Sequence, residues 1–271
     1  MRRRLGVLVV LALGALIVGA LPASGITFGE LDGNLHPNTG ALIAEWDPDS
    51  PGPDLLCTGT LISRTVFLTA GHCTDFLESE GITQAWVTFA PSYDDDAASP
   101  GGLLSGTWTT DPAYGYSGQN GLSDPHDLAV FVLDSPIATQ PAQLPTANLL
   151  GTMTKKELLQ QTFTAVGYGV ARDTKKTGPH AFTFDGARRY AFQTFSTMQS
   201  AWITYSMNPS TGNAGGCFGD SGGPHFLGGA QSNLIVSITA IGDAACRSTD
   251  KTYRLDTPSA REFLGRFVTL P

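Results

Sequence analysis

Short runs rich in β-branched and aromatic residues recur along the chain: Thr58–Ile62, Val66–Thr69, Gln84–Phe89, Asp127–Leu133, Phe163–Val166, Ala201–Tyr205 and Leu234–Ile241. Clusters of Gly, Pro, Asn and Asp separate them, which is the pattern of an all-β sandwich or barrel. Two segments break it. Thr154-x-x-Glu157 reads as a capping box for a short helix over Lys155–Gln161. Ser259-x-x-Glu262 reads as the cap of a terminal helix with Leu264, Phe267 and Val268 on an apolar side. The stretch Ser92–Asn120 is rich in Gly, Ser, Asp and Pro and reads as a long surface loop. Its Asp94-Asp95-Asp96 offers carboxylates to Ca²⁺, but a solvated acidic loop is the preferred reading, because oxygen ligands need a fixed cage and not charge alone.

Composition narrows the class. Of 271 residues 41% are hydrophobic and 15% charged, which excludes a largely disordered chain, and the 32 Gly and 17 Pro follow no collagen period. The head of the chain runs Arg2-Arg3-Arg4, then the apolar stretch Leu5–Leu21, then Pro22-Ala23-Ser24-Gly25. That order is a secretory signal peptide over residues 1–25, with Ala23 and Gly25 as the small residues at the cut. A retained anchor is the rival reading, since 17 apolar residues approach the length that spans a bilayer. Without this head, 13 basic side chains face 24 acidic ones, a net charge of −11. A body so acidic repels nucleic acid and anionic lipid. With no second long apolar run, the expectation is a secreted, extracellular protein with no membrane partner after cleavage. Four cysteines in an exported chain suggest disulfides, with three connectivities open. Zinc is the weaker reading, because no Cys-x-x-Cys pair exists and His72 abuts Cys73.

Three strings hold candidate chemistry: Leu68-Thr69-Ala70-Gly71-His72-Cys73, His126-Asp127-Leu128-Ala129-Val130, and Cys217-Phe218-Gly219-Asp220-Ser221-Gly222-Gly223-Pro224. Together they supply a nucleophile, a general base and an acid to orient the base. A serine hydroxyl is nearly inert at neutral pH until an imidazole takes its proton, and a buried carboxylate holds that imidazole in the right tautomer. Glycines around Ser221 permit an unusual turn that aims the Gly219 and Ser221 N–H groups at one point, where an oxyanion would form. Asp111 and Asp124 are rival carboxylates. Asp127 is preferred because it opens an apolar strand, where a carboxylate would be buried and in need of a partner. His36, His126, His180 and His225 read as structural.

At these residues the sequence resembles the trypsin/chymotrypsin family of serine proteases. Thr69–Cys73 and Gly219–Pro224 carry that family's histidine and serine strings intact, Asp127–Val130 approximates its aspartate string, and the order His, Asp, Ser agrees. Gly167-Tyr168-Gly169 stands where the family has Gly-Trp-Gly, and Tyr253-Arg254-Leu255 precedes the last helix. The resemblance implies two six-stranded antiparallel β-barrels of the chymotrypsin type with a C-terminal helix, over residues 26–271, divided near residue 140 into barrels of about 26–140 and 141–271. It implies catalytic His72, Asp127 and Ser221 in the cleft, an oxyanion hole at Gly219 and Ser221, and disulfides Cys57–Cys73 and Cys217–Cys246. Substrate would meet Gly215, Gly216 and Gly242, the last through its backbone. A freed ammonium on Ile26 would pair with Asp220. No cofactor and no metal are implied, and a monomer acting on a polypeptide substrate is expected.

Departures matter as well. Ala240-Ile241-Gly242 replaces the family's Ser-Trp-Gly, which removes a hydroxyl that normally supports the aspartate; Thr239 or a water is the expected substitute. Gly215, six before Ser221, stands where trypsin-like members have an aspartate, so an uncharged pocket floor and a specificity other than Lys/Arg are expected. Arg247 and Lys251 lie in a segment that forms a pocket wall, where an inward turn would instead invite an acidic residue. Two rival functions are a protease-like binding protein with little or no activity, and a hydrolase of esters or of one dedicated protein target.

Overall fold

The structure, a computed structural model, describes residues 26–50, 52–93, 102–116 and 123–271; the leader and Asp94–Asp96 lie outside them. The first part of the chain forms β1 (Glu30–Leu31), β2 (Thr39–Ala44), β3 (Asp54–Leu61), β4 (Val66–Thr69), helix α1 (Gly71–Ser79), β5 (Ala85–Thr88), β6 (Leu104–Thr110) and β7 (Ala129–Leu133). Then follow α2 (Lys155–Gln160), β8 (Phe163–Gly167), β9 (Ala171–Arg172), β10 (Phe182–Thr183), β11 (Arg189–Met198), β12 (Trp202–Ser206), β13 (Pro224–Leu227), β14 (Ile235–Gly242), β15 (Thr249–Arg254) and α3 (Pro258–Leu264).

Strands β2, β3, β4, β7, β6 and β5 close into a barrel in that order. Its strands carry apolar side chains that are fully buried, among them Leu42, Leu61, Phe67, Val87, Val130 and Phe131. Phe67 and Phe131 sit opposite each other across β4 and β7. Gly59 of β3 is pressed onto this pair, and a side chain there would meet the Phe67 ring and the Leu68 carbonyl at 2.4 Å. Only glycine lets the strands approach so closely. In the second half β8, β11, β12, β15, β14 and β13 form another ring, closed because β8 pairs with both β11 and β13, and β1 adds to the edge of β11. The neighbours are antiparallel throughout both rings. This is the all-β, two-barrel architecture with a C-terminal helix that the resemblance implied.

Three expectations are corrected in detail. The stretch Ser92–Asn120 is not all loop, since it contains β6, whose pattern Leu-Ser-Gly-Thr-Trp-Thr-Thr alternates half-buried with exposed positions. Small and hydroxyl residues there hide the alternation from a hydrophobicity count. The α3 cap is Thr257, whose side chain accepts from the Ala260 N–H, and not Ser259. Helix α1 has no counterpart in the sequence reading. The capping box of α2 forms as expected, with Thr154 and Glu157 each satisfying the other's backbone. No helix among the described residues is long and apolar enough to cross a membrane.

Candidate active site

β4 ends at Thr69, and the chain passes through Ala70 straight into α1, so His72 stands on the first turn of a helix at the rim of the first barrel. Ala70 offers that helix no side-chain cap. Asp127 supplies the missing acceptor from the start of the strand region that leads into β7: its Oδ1 accepts from the His72 backbone N–H at 2.8 Å. The same carboxylate accepts from His72 Nδ1, at 3.1 Å to Oδ1 and 3.0 Å to Oδ2, which puts the proton on Nδ1 and leaves Nε2 as the basic edge. Burial pushes the Asp127 carboxyl up. The His72 charge and hydrogen bonds from His72 and Tyr116 outweigh it and hold the group below the ordinary aspartate value. Burial likewise lowers His72, but Asp127 and then Asp75 raise it, and the balance lies above the ordinary 6.5. The rival carboxylates are engaged elsewhere. Asp111 Oδ2 faces His126 Nδ1 at 3.3 Å. Asp124 accepts from Tyr253 at 2.6 Å and from Ser259 at 2.8 Å.

The support lost at Ala240 comes from a residue that sequence spacing does not single out. The Tyr116 hydroxyl donates to Asp127 Oδ2 at 2.6 Å. Thr239 does not substitute, because its Oγ1 is paired with His225 Nε2 at 2.9 Å.

Ser221 comes from the second barrel and is pinned on the first. Its carbonyl accepts from the Thr58 N–H at 2.9 Å. Gly222, at φ 77°, could carry no side chain: a Cβ would lie 2.3 Å from Thr69 Oγ1 and 2.7 Å from Ala70 N. The turn at Ser221 therefore docks on the end of β4, three residues before His72. The Cys57–Cys73 disulfide fastens the same corner. Among the described residues no hydrogen bond yet joins the Ser221 hydroxyl to the His72 ring, a spacing usual before substrate tightens the site. Two peptide planes are set by their carbonyls. Phe218 O accepts from Val170 N, and Asp220 O accepts from Gly223 N, both at 2.8 Å. A planar trans peptide then turns the Gly219 and Ser221 N–H groups to the opposite side.

The Trypsin family model matches residues 48–262 of the chain. The chain belongs to the trypsin family. It is also similar to a solved structure of HL collagenase, with TM-score 0.62 and 19% identity over 89% of this chain and 96% of that one, a likeness of fold. Membership of the trypsin family makes the protein a serine endopeptidase with polypeptide substrates.

The trypsin-family cleft opens beside Ser221 into a pocket of about 230 Å³ bounded by Gly216, Cys217, Ile241, Gly242, Cys246 and Asp250. The Cys217–Cys246 disulfide closes one side. Gly216 lines it, Gly215 does not, and the floor is not uncharged. Asp250, buried on β15, puts Oδ2 within 3.2 Å of where a Gly215 side chain would begin and 3.1 Å of the same point on Gly216. That oxygen accepts from Gly216 N at 3.0 Å and from Gln193 Nε2 at 2.9 Å, while Oδ1 has no partner. The expectation of a neutral floor fails because the charge comes from a strand that counting back from Ser221 never reaches. Arg247 and Lys251 do not turn into the pocket: Arg247 Nε donates to Lys175 O, and Lys251 Nζ lies 4.0 Å from the centre of the Trp202 ring.

Ile26 is fully buried, and Thr27 pairs with Gly215 through N–H···O bonds of 2.8 and 3.2 Å. Asp220 is buried nearby, accepting from Gly169 N and Cys217 N at 2.8 Å each. No cation among the described residues pairs with it. Burial pushes its carboxyl up to about 7.

Proposed function

We propose that this serine endopeptidase is secreted and hydrolyses peptide bonds through an acyl-enzyme, with Ser221 as nucleophile, His72 as general base and Asp127 as the group that orients it. The observation that carries this reading is the buried Asp127 carboxylate on His72 Nδ1, with Ser221 anchored beside the same strand end. His72 takes the Ser221 proton as the hydroxyl attacks the substrate carbonyl, and Asp127 stabilises the imidazolium. The Gly219 and Ser221 N–H groups receive the oxyanion. His72 then protonates the leaving amine, and water repeats the cycle on the ester. Gly242, at the end of β14, pairs with the substrate backbone as an added strand. The same chemistry would cleave esters, whereas a binding protein without catalysis would need none of this geometry.

Secretion rests on the pattern of residues 1–25, and a cut after Gly25 would free the Ile26 ammonium next to Asp220 without a separate pro-segment. A fluorophosphonate probe tests the assignment. Labelling of the protein beginning at Ile26 that vanishes in Ser221→Ala supports it, and absence of labelling favours the binding-protein reading.

For the residue before the scissile bond, Asp250 reverses the expectation from sequence. A buried carboxylate with Oδ1 unpaired, and with Oδ2 3.6 Å from a His225 ring that burial holds below its ordinary pKa, favours an entering Lys or Arg. Asp250→Asn keeps an acceptor for Gly216 and removes the charge, so cleavage after Lys and Arg falls relative to Leu and Phe in a peptide library. An unchanged profile removes Asp250 from this role.

A further inference from the structure

Arg172 of β9 is 1% exposed, yet among the described residues no carboxylate pairs with its guanidinium. Backbone carbonyls solvate the charge instead. Nε donates to Thr174 O at 2.7 Å, and Nη2 donates to Lys176 O at 2.6 Å and Gly178 O at 3.4 Å. These three acceptors belong to the loop between β9 and β10, which folds back over the guanidinium. The fourth is foreign to that loop: Nη1 donates to Ala245 O at 3.1 Å, 73 residues away. A cation taken out of water is costly unless its donors are met, so this cage fixes the side chain in one place.

Ala245 precedes Cys246, which bounds the pocket beside Ser221 and carries the disulfide to Cys217. The peptide between Ala245 and Cys246 is held at both ends, its oxygen by Arg172 and its N–H by Asp243 O at 2.7 Å. Because a peptide is planar, fixing both atoms fixes the plane and with it the φ of Cys246. That φ is 48°, a left-handed value that a residue with a side chain keeps only when its surroundings enforce it. The remainder of this turn is held from within, with Asp243 Oδ1 accepting from Ser248 N at 2.7 Å and Thr249 N at 2.8 Å. A second tether, from Arg247 Nε to Lys175 O at 3.0 Å, ends on the same loop that Arg172 holds. Both tethers therefore depend on Arg172. Its own strand is anchored by pairing with β10 and by its N–H on Thr27 Oγ1 at 3.2 Å.

Resting on the reading of this pocket as the one that takes the residue before the scissile bond, we propose that Arg172 is a positioning residue for substrate selection. Its guanidinium keeps the Cys246 wall in register with Gly216 and Asp250. A side chain that fills the pocket meets that wall, and a small one does not. Lysine could not replace it, since an ammonium offers donors at one point and not a planar fork that reaches carbonyls in several directions.

Substrates that fill the pocket or leave it empty separate this role from general bracing of the fold. Peptides differing only before the cut, with Arg, Phe or Ala there, are compared on the protein beginning at Ile26, its active sites counted with a fluorophosphonate. In Arg172→Ala, kcat/KM for the better of the Arg and Phe peptides should fall about tenfold, mainly through KM. The Ala peptide should change by less than about twofold. Added guanidinium ion, but not ammonium, should return KM toward its wild-type value. Arg172→Lys keeps the stem and the charge, and it supplies the same comparison where the alanine variant does not fold. Equal losses on large and small side chains, or an unchanged KM per active site alongside lowered stability, overturns the inference. A wild type that treats Arg, Phe and Ala alike would instead overturn the reading of the pocket on which the inference rests. Absence of labelling would overturn the catalytic assignment, so the failures are distinct.

Discussion

Tyr116 donates to Asp127 at 2.6 Å, and that single bond stands in for the hydroxyl missing at Ala240. The carboxylate thus receives the His72 backbone N–H, the imidazole N–H and a phenol, three donors that keep it ionised inside a barrel. Tyr116→Phe deletes one donor to a buried charge, a loss of roughly 1.5–3 kcal/mol to the ionised form. The expected outcome is a fall in kcat/KM of about tenfold, well short of the ~10⁴-fold loss seen when such an aspartate becomes asparagine in related triads. Wild-type activity in Tyr116→Phe, or damage as large as that of Asp127→Asn, would remove Tyr116 from this role. The pH profile follows from the same residues. The proposed mechanism needs neutral His72, and Asp127 and Asp75 raise its pKa above 6.5 against the opposing effect of burial. The acid limb of kcat/KM should therefore climb through a midpoint above 6.5 and move down in Asp127→Asn. A limb centred well below 6.5 in the wild type contradicts the assignment.

At the scale of elements, the barrels are joined by a buried strut that leaves no motif. Arg188, just before β11 and fully buried, donates through Nε to Asp32 at 2.9 Å and through Nη1 to the carbonyls of Thr39 and Phe89 on the first barrel. Tyr168 adds a hydroxyl bonded to Ala90 O at 2.6 Å. Burial would raise Asp32, but the His36 hydrogen bond and the Arg188 charge bring it down to about 2. A depressed carboxyl stabilises the fold above its unfolded pKa, and the contribution is lost as pH falls from about 4 toward 2. Arg188→Met leaves Asp32 buried beside His36 alone, which costs about 3–5 kcal/mol. Denaturant titration should show this loss at neutral pH and little of it near pH 2. Equal losses at both pH values would mean that packing, and not charge, is what Arg188 provides. The seven expected strand cores lie in β3, β4, β5, β7, β8, β12 and β14, because β-branched runs between turn residues report a strand directly. What escaped is physical too. β6 hides behind Ser, Gly and Thr. Helix α1 owes its start to Asp127, 55 residues away, and its burial to the Cys57–Cys73 disulfide, and neither is visible in a local window. His72, Asp127 and Ser221 were legible because each sits in a contiguous string, whereas the contacts of Tyr116, Asp250 and Arg172 are assembled from segments far apart.

At the scale of the whole molecule, the second barrel buries the Asp220 carboxyl, which no cation among the described residues pairs with. Asp220 lies behind Ser221, held by two backbone N–H groups, with its pKa raised to about 7 by burial. Ile26 is already buried in a cluster with Ala165, Ala191 and Ala214, and Thr27 is already paired with Gly215. In the proposed activation, this buried segment is the one that would carry the Ile26 ammonium to Asp220. An acid whose pKa is higher in the folded than in the unfolded state subtracts stability as pH rises between the two values. For Asp220 that window runs from about 4 to about 7, and the loss is complete above it. Three pH units correspond to something on the order of 4 kcal/mol. A protein beginning at Ile26 should escape this loss, because its ammonium stabilises ionised Asp220 and returns the carboxyl toward its usual range. The same protein with one glycine ahead of Ile26 should not. With Ser221→Ala in both to prevent self-cleavage, the extended form should lose unfolding free energy from pH 4 to pH 7 while the Ile26 form stays level or gains. In the active-serine versions, the extension should lower kcat, since Asp220 is flanked by Gly219 and Ser221, whose N–H groups would meet the oxyanion in the proposed mechanism. Parallel stability curves for the two forms, with equal activity, would show that Asp220 does not wait for the Ile26 terminus.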